Sequence, residues 1–244
     1  MGNQENIIEV EGLWKKFGSF TANKDLNFEV RKGEIFGFLG ANGAGKTTAM
    51  KILIGLWKPT EGKVMVSGYD VYTQTENIKK NIGYMSQKFS LYEDLTPVEN
   101  ISFYGGIYGL TKKQIKERSN IAMLNLGMER VANKPVQSLP LGWKQKLAFT
   151  VAMVHQPKIV FLDEPTGGVD PVTRRQFWNM IYEAASRGVT IFVTTHYMDE
   201  AEYCDRVSIM VDGEIKALDT PDKLKLQFKA NTMNDVFLKL ARGE

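Results

Sequence analysis

The sequence predicts an α/β fold: a mostly parallel sheet with a block of helices inserted into it. Three observations carry that expectation. Buried apolar runs alternate with helical stretches, the pattern of strand–helix units on a parallel sheet. A glycine-rich loop, GANGAGKT at residues 40–47, joins one such run to a helix. From about residue 89 to about residue 155 the strand signals stop and helical patterns dominate.

Each element follows in order. IIEVEGLW and DLNFEV alternate apolar with polar residues, and the second ends at the turn RKGE. EIFGFLG is a buried run that leads into the glycine loop, after which TTAMKILIGLW reads as a helix. KPTEG is a turn and KVMVSG a strand. Thr96 and Thr111 are candidate helix starts in the helical block, and KQKLAFTVAMVH is a helix that stops before Pro157. IVFLD and VTIFVTTH are buried strands separated by the helix TRRQFWNMIYEAASRG, which Gly188 closes. MDEAEYCD reads as a helix, and VSIMVDGEIKAL as a hairpin turning at Asp212-Gly213.

Bulk properties narrow the function. A chain of 244 residues buries a sizeable core unaided. Its 31 Lys+Arg against 28 Asp+Glu leave +3, too mild to argue for nucleic acid or an anionic membrane. The single cysteine, Cys204, excludes an internal disulfide and reads as a small packed hydrophobe. MGNQENIIEVEG has no basic segment followed by an apolar run, so no signal peptide is expected, and MGNQEN lacks the myristoylation pattern. No apolar stretch approaches the ~20 residues that span a bilayer, so the chain is expected to be soluble and another segment to supply any span. The methionines scatter like core residues, and Lys223, Lys225 and Lys229 read as a solvated face.

The chemistry starts at the glycine loop. Gly40, Ala41, Asn42, Gly43, Ala44 and Gly45 let backbone amides converge on phosphate oxygens, and a helix starting near Lys46 turns its positive end toward them. Lys46 reaches the β- and γ-phosphates of a nucleotide, Thr47 helps to hold Mg²⁺, and Thr48 supports the phosphates. Alone, this loop specifies a nucleotide and no particular machine. IVFLDEP ends a buried strand with two carboxylates that alternate in direction. Asp163 faces the Mg²⁺, and Glu164 polarises an attacking water as general base. His196, just past VTIFVTT, is placed to bond the γ-phosphate and the water. Gln87, after IGYM, is placed to coordinate the metal or sense the γ-phosphate. His155, before Gln156-Pro157, reads as a helix C-terminal cation or a surface residue.

The order GANGAGKTT, YMSQ, a helical block, SLPLGWKQK, IVFLDEP, GGVDP and TTH resembles the ATP-binding cassette (ABC) transporter ATPases over nearly the whole chain. The resemblance implies a P-loop NTPase (RecA-like) core with an N-terminal antiparallel β subdomain and an inserted α-helical subdomain. One domain, 1–244, then divides into core plus β subdomain (about 1–88 and 156–244) and helical subdomain (about 89–155). It implies ATP and Mg²⁺ as ligands, Gln87 as the Q-loop glutamine, Asp170 in the D-loop, and His196 as the switch histidine. Phe17 is the aromatic that stacks on adenine, where the family usually has tyrosine, and Phe20 is a rival for that place. Two such cassettes sandwich two ATP molecules, each ATP lying against the partner's signature loop. That loop, commonly LSGGQ, is here Leu139-Pro140-Leu141-Gly142-Trp143, which has lost the serine hydroxyl and the first glycine. Two outcomes follow: a working variant, or a chain that pairs with a different cassette and leaves one site weak. Trp143 is expected to pack on the helical subdomain. Gly167 stands where the D-loop usually has serine.

Finer wording, in FYGGIYGL, GGVDPVTRRQFW and TTHYMDEAE, resembles the ABC-2 type multidrug and antibiotic exporters. The expected function is the ATPase subunit of such an exporter, cytoplasmic and peripheral on the inner face of the membrane. Its partners are then a transmembrane permease and a second cassette, with no nucleic acid. The alternatives are a catalytically weak regulatory cassette and a soluble ABC ATPase acting on ribosomes or DNA. The ending NDVFLKLARGE leaves no room for an added C-terminal domain.

Overall fold

The computed structural model describes residues 5–88 and 91–243. The N-terminal MGNQ and the start of the helical block at residue 89 lie outside the described residues.

The chain opens with β1 (Asn6–Phe17), β2 (Phe20–Arg31) and β3 (Ile35–Gly40). Then come α1 (Lys46–Leu53), β4 (Glu61–Val66), β5 (Tyr69–Asp70), α2 (Thr75–Asn81) and β6 (Ile82–Met85). The helical block holds α3 (Pro97–Ile107), α4 (Lys112–Leu126) and α5 (Leu141–Ala152). The rest is β7 (Ile159–Asp163), α6 (Pro171–Ser186), β8 (Thr190–Thr195), β9 (Arg206–Val211), β10 (Glu214–Asp219), α7 (Pro221–Gln227) and α8 (Met233–Arg242).

Two sheets result. An antiparallel sheet runs β2-β1-β4-β5, and a six-stranded sheet runs β10-β9-β3-β8-β7-β6, parallel except for β10. The central strands are buried on both faces, which explains their unbroken apolar runs. Side chains still alternate. Phe36, Phe38, Phe161 and Phe192 face the antiparallel sheet, where Phe28 joins them. Leu39, Val160, Leu162, Ile191 and Val193 face Trp178 and Ile181 of α6 on the other side. The Phe192 ring lies 5.2 Å from Phe38 and 5.3 Å from Phe161, offset contacts that add about 0.5–1.5 kcal/mol each beyond burial. A third core, with Ile101, Met123, Leu147 and Val151, sits within α3–α5.

Local signals explain the helix ends. Thr96 and Thr111 each close a capping box, with Glu99 and with Gln114. The hairpin at Asp212-Gly213 has both residues at positive φ, 50° and 83°, as a two-residue type I′ turn requires. Helix α1 is shorter than TTAMKILIGLW suggests. Gly55 at φ 72° and the bonds Gly55 N–Ile52 O and Leu56 N–Lys51 O end it in a Schellman motif. MDEAEYCD forms a 3-10 turn, Met198–Tyr203, rather than an α-helix, and β9 begins at Arg206.

Two surface expectations are corrected. His155 is neither a helix cation nor a surface residue. Its ring stacks on Tyr108 with centroids 3.5 Å apart, its Nε2 lies 2.9 Å from the Ile82 carbonyl, and burial lowers its pKa to about 4. Lys225 is not simply solvated, for it bridges Glu202 and Asp222 at 2.8 and 3.1 Å. Trp143 packs on the third core and Cys204 is buried, both as expected. Among the described residues no helix is long and apolar enough to cross a membrane.

Candidate nucleotide site

The parallel register builds the site. Leu39 pairs with Thr195, Asp163 with Thr194, and Met85 with Leu162, so the carboxyl ends of β3, β8, β7 and β6 meet at one edge. Ligands bind at that edge in open α/β sheets. It delivers Lys46, Thr47, Gln87, Asp163, Glu164 and His196 to one place, from segments far apart in the chain.

Lys46 is buried, yet its ammonium is well partnered. Nζ donates to the carbonyls of Gly40 at 2.7 Å and Ala41 at 3.0 Å, and lies 3.6 Å from Glu164 Oε1. Burial lowers its pKa, and the charges of Glu164 and Asp163 oppose that shift. Asp163 is also buried, and desolvation raises its pKa against the hydrogen bonds it accepts. Its Oδ1 accepts from Thr194 at 2.7 Å and from Thr47 at 3.3 Å.

Glu164 stands at the centre. It lies just beyond β7 at φ 47°, a left-handed conformation unusual for a non-glycine residue. The strand geometry therefore ends at Asp163. Thr194 anchors it, the carbonyl and the hydroxyl both receiving the Glu164 amide at 3.1 Å. Gln87 Nε2 donates to Glu164 Oε2 at 3.0 Å. His196 Nδ1 is 3.1 Å from the same oxygen but off the hydrogen-bond axis, so it is a close contact rather than a bond.

The loop fits a polyphosphate. Gly45 caps α1 at φ 98° with no side chain on the first amides, which leaves them for an anion. A Cβ on Gly45 would lie 2.4 Å from the Ala22 carbonyl, whereas one on Gly43 meets nothing within 4 Å. One side of the loop is therefore packed and the other open. The Thr47 hydroxyl and the Asp163 carboxylate, joined at 3.3 Å, are hard oxygen donors of the kind Mg²⁺ takes. No cluster of three His, Cys, Asp or Glu among the described residues could hold a metal alone.

Several expected residues lie apart. Among the described residues, Phe17, Asp170 and Leu139–Gly142 share no hydrogen bond or ion pair with this cluster. Phe17 is 43% exposed at the tip of the β1–β2 hairpin and meets Trp57 edge-on at 5.3 Å. Phe20, its register partner, is 62% exposed. Asp170 caps α6, accepting from the amides of Val172 and Thr173. Helix α5 starts at Leu141, three residues before the run KQKLAFTVAMVH, with Pro140 as its N-cap. The Pro140 carbonyl accepts from Trp143 N at 3.0 Å and Lys144 N at 3.1 Å. A Cβ on Gly142 would lie 2.5 Å from Thr173 Cγ2, so α5 and α6 approach closely there.

Sequence reasoning missed Thr194, which holds both acidic residues. Its only signal was a hydroxyl, one of three in the buried run VTIFVTT. Gln145, which by resemblance continues the signature as in typical members, has a contact that the sequence did not foretell: its buried amide donates to the Pro165 carbonyl, next to Glu164.

The ABC transporter family model matches residues 23–167, more than half of the chain. The chain belongs to the ABC transporter family. It is an ATP-binding cassette by family. The chain is 46% identical over 242 residues to the probable multidrug ABC transporter ATP-binding protein YbhF of Escherichia coli, covering 97% of itself and 42% of that protein. It therefore spans less than half the length of that relative. It is 33% identical over 246 residues to the linearmycin resistance ATP-binding protein LnrL of Bacillus subtilis, covering 97% of itself and 79% of LnrL. A solved ATP-binding subunit of an ABC transporter superposes with a TM-score of 0.86 at 28% identity, covering 96% of this chain and 99% of that one.

Proposed function

We propose that this cassette binds and hydrolyses ATP to power an ABC-2 type exporter of drugs or other amphiphiles. The convergence of Lys46, Gln87 and His196 on the Glu164 carboxylate carries the reading. The names of YbhF and LnrL, a multidrug and an antibiotic-resistance protein, support the exporter branch.

In this reading Gly40, Ala41, Asn42, Gly43, Ala44, Gly45 and Thr48 cradle the phosphates, and Phe17 stacks on adenine. Lys46 exchanges the Gly40 and Ala41 carbonyls for phosphate oxygens. Thr47, Asp163 and Gln87 hold Mg²⁺, which supplies neutralising charge to the phosphates. Glu164 takes the proton of the attacking water, oriented by Gln87 and His196 at Oε2. A positioned base of this kind contributes about 10²–10⁴ in rate. Residues 139–142 and Asp170 serve the sandwich with a second cassette. The helical subdomain, about residues 89–155, grips a permease at the inner face of the membrane. The chain needs no nucleic acid. The uncapped start of α5 keeps amides and the positive helix end at the altered signature, which supports a working variant over a dead one.

The test is the mass in solution of Glu164→Gln with and without Mg-ATP, beside its ATPase rate. The expected result is lost hydrolysis, retained ATP binding and an ATP-driven dimer. Hydrolysis at the parent rate would sink the assignment of Glu164. A monomer that binds ATP would show that two copies of this signature do not close without another partner.

A further inference from the structure

The roles proposed for Glu164 and His196 leave two buried acidic residues unused, Glu34, which pairs with Arg206 at 3.3 Å, and Glu200. Glu200 is 0% exposed, in the 3-10 turn four residues past His196. Its Oε1 accepts the hydroxyl of Thr166, itself 1% exposed and two residues past Glu164. Its Oε2 is buried without a hydrogen-bond partner. A carboxylate in such a place is expensive, and a well-packed apolar side chain would serve stability as well or better. The neighbours show what it is tied to. Arg174 of α6 brings Nε to 3.7 Å from Oε1, an ionic contact rather than a hydrogen bond. The same guanidinium lies 4.5 Å over the Tyr197 ring, whose centroid is 4.2 Å from that of His196. Gln145 of α5 also holds the preceding residue, by donating to the Pro165 carbonyl.

We propose that the Thr166–Glu200 pair is a positioning device that keeps Glu164 and His196 in register for hydrolysis. The bond fastens the segment after one of these residues to the segment after the other. Glu164 sits in a left-handed conformation, and such a conformation persists only where its surroundings over-determine it. Gln145 and Glu200 bond Pro165 and Thr166, the two residues directly after that strained one. Without the Glu200 bond, Thr166 is free to shift and Glu164 to relax from its 3.1 Å approach to His196. Neither Thr166 nor Glu200 touches the phosphate loop by a hydrogen bond or ion pair, so nucleotide affinity is left alone. The inference rests on the function proposed above.

The test uses the full chain with Thr166→Val, Thr166→Ala and Thr166→Ser, and reads kcat, KM for ATP, Mg-ATP affinity and melting temperature. Val and Ala remove the hydroxyl, and Ser keeps it. Small displacements of a catalytic group lower rate steeply, so Val and Ala should reduce kcat about tenfold or more. KM and affinity should stay within about twofold, and Ser should restore kcat. If Thr166→Val fails to fold, Thr166→Ala, which leaves only a small void, is judged by the same criteria. Parent-like kcat in either folded variant overturns the proposal. So does an equal loss of kcat and ATP affinity, or a loss of melting temperature that Ser shares. Glu164→Gln is measured alongside. If it is inactive while the Thr166 variants are parent-like, only the positioning role falls. If it is as active as the parent, the proposed function falls first.

Discussion

Acidification should destabilise this protein through His155, and the structure sets the size of the effect. Nε2 lies 2.9 Å from the Ile82 carbonyl, which can only accept, so Nε2 carries the proton of the neutral ring. Nδ1 is buried with no partner. A second proton there would create a charge and a donor with nothing to bond. Burial lowers the pKa from 6.5 to about 4; the Ile82 bond opposes that shift and the nearby Arg118 charge adds to it. The sign follows from linkage. Between these two values the unfolded chain binds a proton that the folded chain refuses. Stability is therefore full above pH 6.5, falls as the pH drops through it, and levels off below about 4. The refused proton costs about 1 kcal/mol of stability by about pH 5.5 and about 3 kcal/mol over the whole window. The assay is urea unfolding at about pH 7.5 and about pH 5.5, for the parent and for His155→Gln. Glutamine keeps a donor for Ile82 but does not titrate. The parent should lose about 1 kcal/mol more than the variant. Equal losses would refute the reasoning. So would an NMR titration of His155 near 6.5, read in a His196→Ala protein because the chain has only two histidines.

Other outcomes follow from the site. Gly45→Ala puts a side chain at φ 98° and 2.4 Å from the Ala22 carbonyl. With left-handed strain alone at about 1–2 kcal/mol, ATP affinity by calorimetry should fall at least about tenfold. Phe17→Ala should weaken ATP binding by about 0.5–1.5 kcal/mol, the worth of an aromatic stack, and Phe20→Ala should leave it unchanged; the reverse result moves the adenine to Phe20. Gly142→Ala drives a Cβ to 2.5 Å from Thr173, whose hydroxyl is held by Asp170 at 2.5 Å. It should weaken ATP-driven dimerisation of Glu164→Gln by about tenfold without changing ATP binding by the monomer, as a misplaced signature helix would. Dimerisation at parent strength, seen by light scattering, would separate this helix start from the sandwich.

The altered signature becomes less anomalous once its backbone is seen. Proline at the N-cap sits outside the helix, and its carbonyl already accepts the first helical bonds. The missing proline donor therefore lies before the open turn of α5, while the Leu141 and Gly142 amides lie in it. Leu141 is exposed, and its side chain reaches toward Gly168 of the D-loop, where an added Cβ would be 3.6 Å away. The bulk that replaces the first glycine is thus directed at a position that has little bulk of its own.

Much of this protein was legible in the chain because the signals are local. Apolar runs, capping threonines, the Asp212-Gly213 turn and the spacing of GANGAGKT each act over a few residues, and each is where the fold uses it. The residue types of the nucleotide site were legible for the same reason, since a phosphate loop and a strand-end acidic pair are short patterns. What the chain alone could not express is how distant segments meet. His155 looked like a helix-end cation until Tyr108 and Ile82 closed over it. Thr194 and Gln145 looked ordinary until register and helix packing set them against Asp163, Glu164 and Pro165. The twist at Glu164 is likewise a tertiary result, held by Thr194 from a neighbouring strand. Local sequence selects elements and donor atoms. Only the packed structure decides which donors lose water, because desolvation and hydrogen-bond partners come from residues remote in the chain.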